Sequence, residues 1–152
     1  MKAIDLRVGA DQTTLGAATL DIGWRTISHV HLKSDPASPL DLENAIAAIE
    51  DEIARVHQAV ERDSTVVTTD TDETIREIAL ASGVRAGAGM ALSPEAVERA
   101  YARLTGRAGL PGTRRFAATL LILRELMHHL QIGRIVIEGG GGAAQPPPAG
   151  DS

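Results

Sequence analysis

"SDPASPLDLENAIAAIEDEIARVHQAV", residues 34–60, is where the chain changes period, and its reading decides the fold. Leu42, Ile46, Ile49, Ile53, Val56 and Val60 recur at spacings of four and three, which lays one apolar stripe along a helix and leaves the opposite face charged. Ser38 followed by Pro39 and Asp41 is a helix start: a capping hydroxyl, a proline at the first helical position and an acid near the positive end of the dipole. Upstream, the residues read as strands. "KAIDLRVG" (2–9) and "TTLGAATLDI" (13–22) are separated by a polar turn at Ala10–Gln12, and "RTISHVHL" (25–32) alternates as a third strand. Strands so close in sequence predict an antiparallel meander.

Downstream, strands and helices take turns. "STVVTT" (64–69) is a short β-branched strand and "DETIREIALASG" (72–83) a helix that stops at Gly83. "VRAGAGMAL" (84–92) holds a short edge strand, and "SPEAVERAYARLTG" (93–106) repeats the Ser-Pro start and glycine end. "TRRFAATLLILRELMHHLQIG" (113–133) is apolar almost all round, as a buried helix is. "RIVIE" (134–138) is the last strand. The order predicts an α/β, ribonuclease-H-like mixed sheet, an antiparallel meander followed by αβ units, with helices on its faces. Residues 1–138 are expected to form one domain and 139–152, rich in Gly and Pro, a flexible tail.

Bulk composition narrows the function. The chain has 152 residues, 43% of them hydrophobic, so it can bury one sizeable core. Aromatics are only 2%, which makes that core aliphatic and argues against stacking on single-stranded nucleic acid. A net charge of -5 without a dense basic run disfavours nucleic acid and anionic membranes as partners. Cysteine is absent, which removes disulfides, thiolate catalysis and cysteine zinc sites. The N-terminus is charged too early for a secretory signal, and "FAATLLIL" (116–123) is too short to span a bilayer. A cytoplasmic protein is the expectation.

"HLKSDPASPLDLENA" (31–45), "ALSPEAVERAYARLTG" (91–106) and "GLPGTRRFAATLLILRELMHHLQIGRIVI" (109–137), taken with the element order, resemble the second lobe of the exopolyphosphatase/guanosine pentaphosphate phosphohydrolase (Ppx/GppA) family. That family belongs to the two-lobed actin-like ATPase superfamily. The resemblance covers residues 15–138 and has three departures. No counterpart of the first lobe is present. The phosphate loop Asp-x-Gly-Gly-Gly-Ser of the second lobe corresponds to "IDLRVGADQ" (4–12), which keeps Asp5 and Gly9 but not the glycine run, although "AIDLRVGADQTTLGAA" (3–18) also aligns with the start of a first lobe. The later loop Gly-Thr-Gly-Gly-Thr corresponds to "TTDTDET" (68–74), and the closing Gly-Leu-Arg-Glu-Gly phrase to "EGGGGAAQ" (138–145).

The resemblance therefore places candidate ligand contacts at Asp5, Arg7, Gly9, Thr68, Thr69, Asp70 and Thr71, with Asp70 and Asp72 as candidate metal ligands. Three carboxylates in "TTDTDET" repel a polyanion unless a metal intervenes, each by about 1 kcal/mol in water at ~4 Å. Read without the resemblance, Asp70 or Thr71 caps the following helix and Glu73 sits in its first turn. Asp5 beside Arg7 is equally well a local ion pair. His29 and His31 would share one strand face, a spacing zinc sites use, but no third ligand is marked. His128 and His129 are adjacent on a helix, so they do not chelate together and suit its negative end. No residue stands out as catalytic.

Two functions follow as expectations. The first is a divergent, single-lobe, catalytically inactive protein that binds a partner or a small ligand. The second is a phosphoanhydride hydrolase acting on polyphosphate or guanosine pentaphosphate. It would require Mg²⁺ and either a homodimer or a separate protein partner replacing the missing lobe, because catalysis needs charge stabilisation from both sides of a cleft.

Overall fold

The computed structural model describes residues 3–33, 38–59, 65–68, 73–85, 90–105 and 114–137. The first strand, β1 (Ala3–Val8), runs into a hairpin of β2 (Thr13–Leu15) and β3 (Ala18–Leu20). Two helices follow, α1 (Trp24–Val30) and α2 (Pro39–Val56), with a single 3-10 turn at His57–Ala59. The remaining elements are β4 (Thr65–Thr68), α3 (Glu73–Ala81), β5 (Ala91–Leu92), α4 (Pro94–Thr105), α5 (Arg114–Leu130) and β6 (Ile135–Ile137).

The strands form one mixed sheet in the order β3-β2-β1-β4-β6-β5. β1, β4 and β6 are parallel, with Asp5 level with Val67 and Val67 level with Val136. β2 and β3 continue from β1 antiparallel, and β5 closes the other edge antiparallel to β6. The crossovers from β1 to β4 and from β4 to β6 step in the same direction, so right-handed connections put their helices on the same face. Burial agrees. Leu6, Val8, Leu15, Ala18, Leu20, Ile135 and Ile137 belong to the core, whereas Asp5, Arg7 and Thr19 on the opposite face are exposed.

α5 is the centre of the helical layer. It contacts α1, α2, α3 and α4, and Phe116 through Leu123 are buried without a break. The all-round apolar sequence of this helix is explained by that position. Its end and that of α3 are both set by backbone geometry. Gln131 at φ 57° and Gly83 at φ 95° take the left-handed conformation, and Ile132 and Val84 donate to the carbonyls of Met127 and Ala79. α2 starts as its sequence predicts: Ser38 Oγ accepts from the Asp41 amide at 3.1 Å, and the Asp41 carboxylate accepts from the Ser38 amide at 3.2 Å.

Two expectations fail at the start of the chain. Residues 13–22 are not one strand but the hairpin β2–β3, turned at Gly16, whose φ of 61° suits a residue without Cβ. Residues 25–32 are not a strand, because Trp24–Val30 is helix. The cause is tertiary. The Gly9 carbonyl accepts from the Trp24 amide, and the Ala10 carbonyl from Arg25 and Thr26, so the β1–β2 turn caps a helix there. Gly23 permits that approach, since a Cβ at this position would lie 2.3 Å from the Gly9 oxygen. His29 and His31 consequently do not share a strand face: His29 is in the last turn of α1 and His31 is its C-cap. The zinc spacing read there is withdrawn. Among the described residues no helix is long and apolar enough to cross a membrane.

Candidate functional site

Asp5 lies mid-way along β1, level with Val67 of β4, while Arg7 and Gly9 flank the carboxyl end of β1, and Thr68 is the last residue of β4. Thr69, Asp70, Thr71 and Asp72, and the cap expected there, lie outside the described residues. Asp5 pairs with Arg7 at 3.4 Å, both side chains being about half exposed (47% and 61%). The Gly9 amide donates to the Gln12 carbonyl at 2.9 Å, and a Cβ on Gly9 would lie 2.7 Å from that same oxygen. Asp11 in the turn takes a two-pronged hold from Arg25 on α1, and this guanidinium keeps the Asp11 carboxyl below the usual carboxylate range. The turn is thus closed on α1 by backbone and side chain together. The Gly9 amide and the two neighbouring guanidinium groups, Arg7 and Arg25, already have partners within the protein.

A second polar cluster lies on the seam between α2 and α5. Glu125 and His129 are one turn apart on α5, and Glu50 comes from α2. His129 Nε2 is 3.0 Å from Glu50 Oε2 and 3.2 Å from Glu125 Oε1. Arg124 holds the other Glu125 oxygen at 2.8 Å and reaches Glu98 on α4 at 2.9 Å, while its guanidinium lies over the Tyr101 ring. Glu125 is buried, and that burial pushes its carboxyl above the usual range, opposed by Arg124 and reinforced by Glu50. The Glu125-x-x-x-His129 spacing is visible in the sequence, yet only the docking of α2 brings Glu50 to it.

The fold is a mixed α/β lobe with two polar centres, one at the sheet's carboxyl edge and one between helices. Solved structures of the Ppx/GppA type share it. A Ppx/GppA enzyme of Aquifex aeolicus matches with a TM-score of 0.69 at 12% identity, over 89% of this chain and 52% of that one. An exopolyphosphatase-like protein matches with a TM-score of 0.69 at 16% identity, over 90% and 54%. An exopolyphosphatase from Cytophaga hutchinsonii matches with a TM-score of 0.64 at 13% identity, over 89% and 52%. No protein-family model matches the sequence, and no curated protein matches it by sequence. The chain has a Ppx/GppA-like fold and spans about half the length of the structures it matches.

Proposed function

We propose that this chain is a divergent second lobe of the Ppx/GppA type, ribonuclease-H-like in topology, that acts by binding a protein partner or a small ligand rather than by catalysis. The strand order β3-β2-β1-β4-β6 with a parallel centre supports the ribonuclease-H-like reading. One observation carries the functional one. At the end of β1, where the resemblance places a phosphate loop, the Gly9 amide and the α1 amides are bonded to carbonyls, and Arg7 and Arg25 are paired with Asp5 and Asp11. A phosphate loop works through amides and cations turned towards the ligand. Here a polyanion would have to displace carboxylates to reach them.

The test is phosphate release from polyphosphate and from guanosine pentaphosphate with MgCl₂ or MnCl₂, run across a range of protein concentrations alongside sedimentation. No release is expected at any concentration. Release that grows with dimer content and is lost in Asp70→Ala would overturn the reading in favour of a Mg²⁺-dependent phosphohydrolase assembled from two chains.

A further inference from the structure

The α2–α5 seam stands apart from the sheet edge and has its own chemistry. One imidazole nitrogen, His129 Nε2, faces oxygens of two carboxylates at hydrogen-bond distance. A single N–H divides poorly between two anionic acceptors, because each bond then loses linearity. The ligating atoms of Glu50, Glu125 and His129 all lie within 4.8 Å of one another. Around a tetrahedral ion with bonds of ~2.0–2.1 Å, ligand atoms stand roughly 3.3 Å apart, close to the 3.0 and 3.2 Å observed here.

Charge points the same way. The connected side chains Glu50, Glu125 and Glu98 are three carboxylates against one guanidinium, Arg124. A divalent cation brings that set to neutrality. Arg124 also occupies Glu125 Oε2 and so fixes Oε1 towards the imidazole, an outer-sphere orientation of the kind metal sites use. On the open side, a groove of about 660 Å³, whose lining includes Glu50, Asp51, Arg55, His57, Gln58 and His129, leaves room for a water ligand.

We propose that Glu50, Glu125 and His129 bind a divalent transition-metal ion of the Zn²⁺ class, clipping α2 to α5, with the groove side open to solvent. Two carboxylate oxygens and one imidazole suit a borderline ion and not Mg²⁺, which favours all-oxygen octahedral sites. The site does not depend on whether the end of β1 binds phosphate.

The experiment uses the full, untagged chain stripped with EDTA, titrated with ZnCl₂ by calorimetry and followed by thermal unfolding. One ion per chain and a rise in Tm with Zn²⁺ are expected. Glu50→Gln and His129→Asn should each weaken binding at least about 10-fold. Glu50 is 44% exposed in its side chain, so Glu50→Gln should keep its metal-free Tm and decides the matter if the His129 variant folds poorly. Zn²⁺ binding that survives both substitutions, absence of saturable binding in the parent chain, or equal affinity for Mg²⁺ and Zn²⁺ would each overturn the proposal.

Discussion

The end of β1 and the α2–α5 seam are both polar places in an aliphatic protein, and they are built in opposite ways. At the end of β1, opposite partners meet: amides with carbonyls, Arg7 with Asp5, Arg25 with Asp11. At the seam, three carboxylates converge on one histidine and one arginine. The first lies where the resemblance implies a phosphate loop, yet its groups are turned on each other. The second corresponds to no motif in the sequence, and its negative charge is in excess. Position in a fold therefore identifies a candidate, but the balance of donors and acceptors decides whether anything is left for a ligand.

The closed turn after β1 is most sensitive at Gly23. A Cβ there would meet the Gly9 oxygen at 2.3 Å and the Ala10 carbonyl carbon at 2.5 Å, both backbone atoms. Gly23→Ala should cost about 3 kcal/mol in urea unfolding, since neither turn nor helix can yield alone. A loss below about 1 kcal/mol would mean that the turn does not fix α1.

A smaller effect sharpens the seam. Glu125 has its folded pKa raised, chiefly by burial. Such a carboxyl favours the folded state fully below its unfolded value of about 4.5, and this contribution is lost as pH rises through the folded value. Glu125→Gln, compared with the parent in EDTA, should flatten that fall and be on the order of 1 kcal/mol more stable at pH 8. Parallel pH profiles would show that the buried charge is not the cause. The smallest effect belongs to the end of β1. Arg7→Ala should change stability by no more than about 0.5 kcal/mol, because its pair with Asp5 is half in water. A larger loss in chemical denaturation would make that pair a structural element in its own right.

Much of the fold was legible where local signals and packing agree. Ser38, Pro39 and Asp41 start α2 as the sequence predicts, and the all-round apolar run of 116–130 is the central helix. The Gly83 stop of α3 and the edge strand after it are likewise where the pattern puts them. The failures have a physical cause. Ile27 and Val30 can be read with either period in so short a segment, and the choice was made by carbonyls from Gly9 and Ala10 that no local rule contains. Gly16 inside an otherwise strand-like run was a visible sign of a turn. For the sites, Asp5, Arg7 and Gly9 follow one another along β1 and the turn after it, and the pairing of Asp5 with Arg7 could only be seen in three dimensions. Glu50 and His129 are 79 residues apart, and nothing short of the packing of α2 on α5 relates them.

The parallel centre of the sheet bears on how the chain is made. β1, β4 and β6 come from residues 3–8, 65–68 and 135–137, and the last of them is an interior strand, flanked by β4 and β5. A growing polypeptide can close the β1–β2–β3 hairpins early, since they are local. It cannot satisfy the far side of β4 until residue 137 has emerged from the ribosome. Up to that moment β4 carries an open edge, the part of an unfinished sheet most prone to pair with another chain. The pairing of β6 with β4 is what covers that edge.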